Sequence, residues 1–189
     1  MNSLHTKTAK LAGTAVLGAL TVVFDYTLKF SGLKIPFPLF PTLKFDFTGI
    51  PIVLSYLLFG FSSGATTSSI AFLAILFRSG DAIGPLMKAI AELSTIAGMA
   101  LFTRRTKKIG KAISITLGLV LRVAVMSIVN LIVLPIFYTK YYTFSEAVLL
   151  LPLIGVFNII QGSISIFGGL IIHKAIAGKI PLTTQRLSS

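Results

Sequence analysis

The chain has 189 residues, of which 54% are hydrophobic and only 12% charged. Soluble domains average about 25% charged residues, so this composition, with a mean hydropathy of +0.93, marks an integral membrane protein. The net charge of +12 does not argue for nucleic acid, because the basic residues sit between apolar runs and not on a polar face. The absence of cysteine excludes disulfides, thiol catalysis and cysteine-held metals.

Met1-Asn-Ser-Leu-His-Thr-Lys-Thr-Ala-Lys10 leads into a long apolar run without a clear cleavage site, as expected for a first transmembrane helix rather than a removed signal peptide. Crossing the bilayer takes about 20 residues, fewer for helices buried among neighbours. On that basis six spans are expected, at 9–30, 49–60, 63–77, 84–103, 112–138 and 146–174. The expected fold is an all-α membrane protein, one six-helix transmembrane domain over residues 1–189. The short second and third spans are separated by Gly60-Phe-Ser-Ser-Gly64, a tight hairpin signal.

Charge placement sets the orientation. With the N- and C-termini inside, ten of the 17 basic residues are cytoplasmic: Lys7, Lys10, Arg104, Arg105, Lys107, Lys108, Lys111, Lys174, Lys179 and Arg186. Lys29, Lys34, Lys44, Arg78 and Lys140 fall outside, and Lys88 and Arg122 within spans. This bias follows the positive-inside rule.

Between the first two spans, residues 31–48 carry Pro36, Pro38 and Pro41 interleaved with Phe and Leu. The prolines bar a regular helix, and the segment is too apolar for a solvated linker. It is expected to fold onto the helices as an external cap, the alternative being a loop lying in the headgroups. Asp25 and Lys29 are expected to pair at the end of the first helix.

Further along, Glu92, Asn130, Asn158 and Gln161 interrupt apolar stretches. Polar groups in such places face a protein interior, a water-filled cavity or a ligand, because lipid cannot satisfy them. At 1.5 Å per residue, Glu92 and Asn130 each lie roughly 12 Å from the outer end of their helix. The last helix has a capping signal at Thr143-Phe-Ser-Glu146, and Pro152 suits a first turn if regular helix begins later. Counted from there, Asn158 and Gln161 lie roughly 10 and 15 Å deep, on one face because they are three apart. Lys88 and Glu92 share a face of the fourth helix. Three helices therefore bring polar groups to one level in the outer half, with Arg122 expected in the inner half. A channel would spread such groups through the full thickness, so a pocket open to the outside is expected. Taken singly, the amides also fit interhelical bonds, and Glu92 with Lys88 or Arg122 fits a structural ion pair. The two histidines, His5 and His173, lie near the cytoplasmic ends, away from this level. On the first helix, Ala12, Ala15, Gly18 and Ala19 form a small-residue stripe that allows close approach of another helix, within the bundle or from a partner.

The chain resembles the substrate-binding S component of an energy-coupling factor (ECF) vitamin transporter, of the riboflavin-specific type. The residues carrying the resemblance are the Ala15-x-x-x-Ala19 first helix and Leu43-Lys-Phe-Asp46-Phe-Thr-Gly-Ile-Pro51. With them go Gly80-Asp-Ala-Ile-Gly84, Ala91-Glu92-Leu, Asn130-Leu-Ile-Val-Leu-Pro135-Ile-Phe-Tyr138 and Val156-Phe-Asn158-Ile-Ile-Gln161-Gly. The resemblance implies a non-enzymatic six-helix protein of the cell membrane that captures a vitamin from outside with high affinity. It further implies no permanently bound cofactor, with riboflavin as the transported ligand. On the same resemblance, energy is expected to come from ATP used by two cytoplasmic ATPase subunits, through a transmembrane T component that meets the first helix at Ala15 and Ala19. The S component is expected to topple in the membrane to present its pocket inward. Asn130 and Asn158 match asparagines that bond the flavin ring edge. The family has Phe-Asn-x-x-Lys where this chain has Phe157-Asn158-Ile-Ile-Gln161, and its Gly-Glu-x-x-Asn pattern is incomplete around Glu92. Leu43, Lys44 and Asp46 are expected to close the pocket, with Lys88, Glu92, Asn130, Asn158 and Gln161 inside it. Alternatives are another vitamin (pantothenate, thiamine, folate or biotin) or a structural membrane protein. An intramembrane enzyme is disfavoured, since no Ser-His pair or metal-ligand cluster is visible.

Overall fold

The computed structural model describes residues 2–102 and 108–176. Arg104, Arg105, Lys107, Lys179 and Arg186, used above to orient the chain, lie outside the described residues. The elements are α1 (Asn2–Phe30), β1 (Ile35–Phe37), β2 (Phe40–Phe45), α2 (Gly49–Phe59), α3 (Phe61–Ser79), α4 (Ile83–Ala100), α5 (Lys108–Phe137) and α6 (Phe144–Ile176).

Three stretches are long and apolar enough to cross a membrane: Lys7–Phe30, Ile109–Phe137 and Phe144–Ile176. Large apolar side chains such as Leu11, Val23, Ile128, Ile132, Leu149 and Ile171 point outward from α1, α5 and α6. So much unpartnered apolar surface suits hydrocarbon and not water. By contrast, α2 has 11 residues, about 16 Å of helix, and buries Ile52, Val53, Leu54 and Tyr56 on successive sides. A helix apolar all round belongs inside a bundle. α3 carries many hydroxyls, and several fold back onto their own helix: Thr66 Oγ1 donates to the Ser62 carbonyl at 2.9 Å and Thr67 Oγ1 to that of Ser63 at 3.0 Å.

The expected hairpin between the second and third helices is tighter than the sequence suggested. Gly60 alone breaks the helix, at φ 89° and ψ 179°, and α3 resumes at Phe61. The positive φ is one that glycine adopts without penalty. Gly64 is already helical and lies against Tyr56.

Neighbouring helices close a ring in the order α1, α2, α6, α5, α4, α3, with α2 also touching α3. The tightest crossing joins α4 to α5. A Cβ on Gly98 would lie 2.4 Å from the Leu117 carbonyl oxygen and 2.8 Å from the Gly118 Cα. In lipid, where burial of apolar surface drives little association, such close backbone approach holds helices together. Ile52, Val53, Tyr56, Ile96, Met99 and Ile166 fill the bundle toward the C-terminal ends of α2 and α4. The other end is hollow.

Over the hollow end lies a departure from the all-α expectation. β1 and β2 form an antiparallel hairpin with Ile35 opposite Phe45 and Pro36 opposite Lys44. Prolines that exclude helix are compatible with a two-stranded ribbon, where each strand has an unpaired edge. The hairpin is fixed by aromatic contact: Phe45 stacks on Phe157 of α6 at 4.9 Å and 23°, and buried Phe37 meets both rings. α6 starts at its cap and not at Pro152, which lies inside the helix. The Glu146 carboxylate accepts from the Thr143 amide at 2.7 Å and its hydroxyl at 2.8 Å, a reciprocal cap that fixes the first turn.

Candidate ligand-binding cavity

The hollow end is a cavity of about 530 Å3 between α4, α5, α6 and the hairpin. Small-molecule sites commonly fall between about 300 and 1,000 Å3. α5 contributes Arg122, Met126, Asn130 and Leu134, a stripe that a four-residue step keeps on one face. α4 presents Met87, Lys88, Ala91 and Glu92, and α6 presents Ile154, Phe157, Asn158 and Gln161. Phe40, Leu43, Lys44 and Asp46 cover it from the hairpin side. All eight residues expected at a pocket, namely Leu43, Lys44, Asp46, Lys88, Glu92, Asn130, Asn158 and Gln161, lie on its wall.

Their hydrogen bonds divide them into groups that face the cavity and groups that build it. Asn130 Nδ2 donates to the Met126 carbonyl at 2.7 Å, and Asn158 Nδ2 donates to that of Ile154 at 2.9 Å. Asn158 Oδ1 accepts from Arg122 Nε at 3.2 Å. Gln161 is different. Its Nε2 donates to the Asp46 carbonyl at 2.9 Å and its Oε1 accepts from the Asp46 amide at 3.2 Å, so both ends of the side chain are occupied by one backbone residue of the loop.

Asp46 is held through its carboxylate as well. Oδ1 accepts from the Thr48 amide at 3.1 Å and the Thr48 hydroxyl at 2.7 Å, while Oδ2 pairs with Lys88 and lies 3.9 Å from Lys34 Nζ. Burial pushes this carboxyl up, but Lys88, the Thr48 bond and Lys34 outweigh it and hold it below its ordinary value. Asp46 is thus the joint at which the loop, α4 and α6 meet. Lys44 remains exposed beside it.

Arg122 was expected in the inner half, away from the other polar groups. It instead reaches their level. Its Nη1 donates to Glu92 Oε1 at 2.9 Å and Thr95 Oγ1 at 3.1 Å, and the side chain is 3% exposed. A guanidinium so fixed is a preorganised donor for a carbonyl or carboxylate. Of the two partners considered for Glu92, the structure selects Arg122, and Lys88 goes to Asp46. Ser165 Oγ also donates to Glu92 Oε1, at 3.4 Å, while Oε2 is buried with no partner among the described residues. The Asp25–Lys29 pair is likewise corrected: Asp25 binds Lys34 Nζ at 2.7 Å and Arg78 Nε at 2.6 Å.

Sequence reasoning missed Arg122, Met87, Met126 and the rim tyrosines Tyr138, Tyr141 and Tyr142. The helical phase Arg122, Met126, Asn130 would have found two of them. Among the fifteen phenylalanines, Phe40 and Phe157 are the two on the cavity wall. No group of histidine or acidic residues that could hold a metal occurs among the described residues. On α1, Ala12, Ala15 and Ala19 face outward, while Gly18 lies against Ile70 of α3. The small-residue stripe is therefore divided between the bundle and an open face.

An apolar helical bundle with a covered cavity, apolar walls and a few fixed polar groups defines a membrane protein that holds a small molecule. Residues 9–172 match the family described as "ECF transporter, substrate-specific component". A solved chain described as the S component of a bacterial ECF transporter superimposes with a TM-score of 0.70, covering 91% of this chain and 97% of that one. Its sequence identity is 24%, so the likeness speaks for the fold. No curated protein matches the sequence. The chain belongs to the family of substrate-specific components of ECF transporters. Membership makes it a transport subunit of a membrane complex, binding a substrate and working with a T component and ATPase subunits.

Proposed function

We propose that this chain captures a vitamin, riboflavin in the first instance, from outside the cell. In this reading residues 1–189 form one domain with six membrane-crossing helices, both termini inside, in the cell membrane. The observation that carries it is the cavity itself: apolar walls from Met87, Met126 and Phe157 flank fixed polar groups, Asn130, Asn158 and Arg122, at one level. A planar heterocycle with polar atoms along one edge matches that division. Its edge meets the amides and the guanidinium, its faces lie against the methionines and Phe157, and a hydrophilic tail extends toward Lys44, Lys88 and the tyrosines. ATP is used by the partner subunits, and Ala15 and Ala19 on the open face of α1 meet the T component.

A different vitamin is the second reading, and Gln161 favours it. The family pattern has a lysine there, and here the side chain is occupied by Asp46, so one ligand contact of the riboflavin type is replaced by a loop contact. Pantothenate, thiamine, folate and biotin are the competing ligands.

Purified protein titrated with riboflavin should quench the flavin fluorescence at sub-micromolar concentration. No quenching at micromolar riboflavin would remove the flavin assignment and leave the other vitamins. Asn158→Ala should then weaken binding by about threefold to tenfold, the loss of a neutral hydrogen bond. Unchanged affinity would place the ligand elsewhere.

A further inference from the structure

The cavity accounts for the buried carboxylates of Asp46 and Glu92 but not for a third. Asp25, on α1, is 1% exposed and lies outside the cavity wall. Two cations from different elements converge on it: Lys34, from the segment leading into β1, and Arg78, from the end of α3. Lys34 also lies 3.9 Å from the Asp46 carboxylate, which pairs with Lys88 of α4. Five alternating charges, Arg78, Asp25, Lys34, Asp46 and Lys88, therefore run from α3 through α1 and the loop to the cavity.

We infer that Asp25 is a positioning residue for the binding site: through Lys34 it holds the hairpin down and sets how fast a bound ligand escapes. The inference rests on the cavity being the ligand site. It does not rest on the ligand being a flavin.

The physical reason is the location of the anchors. The hairpin is tied to α6 by Gln161 and Phe157 and to α4 by Lys88, all on the cavity side. Its N-terminal strand follows Gly32, whose φ of 70° marks a turn, so the approach from α1 needs an anchor of its own. Lys34 supplies it, two residues after that turn, with its ammonium largely buried against Asp25. Arg78 adds a second positive charge, so removal of the carboxylate leaves two partly buried cations facing each other and drives Lys34 out. A charge-assisted hydrogen bond of this kind commonly stabilises by an amount corresponding to tenfold or more in an opening equilibrium.

The test reads amide hydrogen exchange over residues 35–47 in ligand-free protein held in lipid nanodiscs. Asp25→Asn should speed exchange there by about tenfold, leave α5 and α6 unchanged, and be largely reversed in Asp25→Glu. Lys34→Met leaves Asp25 paired with Arg78 and so protects the bundle. It should give the same local acceleration, and it decides the matter if Asp25→Asn fails to fold or loosens every helix. Unchanged exchange over 35–47 in Lys34→Met would overturn the inference. If the wild type binds riboflavin, both variants should raise the dissociation rate and leave the association rate nearly constant; equal loss in both rates, or in neither, counts against it. If the wild type binds no riboflavin, the flavin assignment falls and the exchange data still decide the role of Asp25.

Discussion

Gln161 grips the backbone of Asp46 from both sides, donating to its carbonyl at 2.9 Å and accepting from its amide at 3.2 Å. Residues 115 positions apart are thereby joined by a pair of hydrogen bonds at the edge of the cavity. Gln161→Leu would leave both backbone groups of Asp46 buried and unpaired, at a cost of roughly 1–3 kcal/mol. Ligand dissociation, followed by stopped-flow fluorescence, should accelerate by about tenfold to a hundredfold. Gln161→Lys retains a donor for the carbonyl but no acceptor for the amide, and should fall between the two. A dissociation rate unchanged in Gln161→Leu would mean that Phe45, Phe157 and Lys88 hold the loop without it.

The Arg122–Glu92 pair predicts a split between stability and binding. Arg122→Met strands the Glu92 carboxylate, already lacking one partner, and should destabilise the protein by about 3–5 kcal/mol. Arg122→Met with Glu92→Met removes both charges and should restore most of the melting temperature in detergent, because a well-packed apolar replacement of a buried pair is often neutral. Binding should not return in the double variant, since the donor that faces the cavity is gone. Recovery of affinity along with stability would reduce the pair to scaffolding.

Much of this was legible in the sequence because the signals are local. Apolar runs located the helix ends to within about four residues, except that α1 begins at Asn2 and not at residue 9. Each polar interruption in those runs had to find a satisfied place, so Glu92, Asn130, Asn158 and Gln161 pointed to one level. What stayed hidden depended on partners distant in the chain. Counting rise per residue locates a Cα but not the tip of a long side chain, which is how Arg122 was placed too far in. The hairpin needs cross-strand pairing that prolines permit but do not specify. Asp25 had a plausible partner four residues away in Lys29, and nothing local showed that Lys34 and Arg78 would reach it first.

The Asp46 carboxyl gives the closed loop a pH dependence. Held below its ordinary value of 3.8 by Lys88, Thr48 and Lys34 against the opposing effect of burial, it favours closure wherever it is ionised in both states. That contribution is complete above the open-loop value and is lost as pH falls through the lower, closed-loop value. Dissociation rates should therefore be flat from neutral pH down to about pH 5 and rise below about pH 4. Asp46→Asn should abolish the acid limb and dissociate quickly at every pH. An acid limb that survives in Asp46→Asn would assign it to another carboxylate.

The last prediction separates capture from delivery. Ala15 and Ala19 lie on the open face of α1, next to the exposed side chains of Leu11, Val16 and Val23 and far along the chain from every cavity residue. Small residues four apart let another helix approach to backbone contact, and a bulky side chain there blocks that approach. Ala15 is exposed among the described residues, so in Ala15→Trp ligand affinity and melting temperature should stay within about twofold and 2 °C of the wild type, as for substitutions at exposed surface positions. Uptake by cells carrying the complete transporter should fall at least tenfold, and co-purification with the T component should fall with it. Ala12→Trp, one turn away on the same face, should weaken both less, because it lies outside the Ala15-x-x-x-Ala19 pair. Full uptake in Ala15→Trp would show that the T component meets the chain on another face. Loss of binding in the purified variant would instead mean that α1 shapes the cavity, a coupling that Asp25 and Lys34 would be the first candidates to carry.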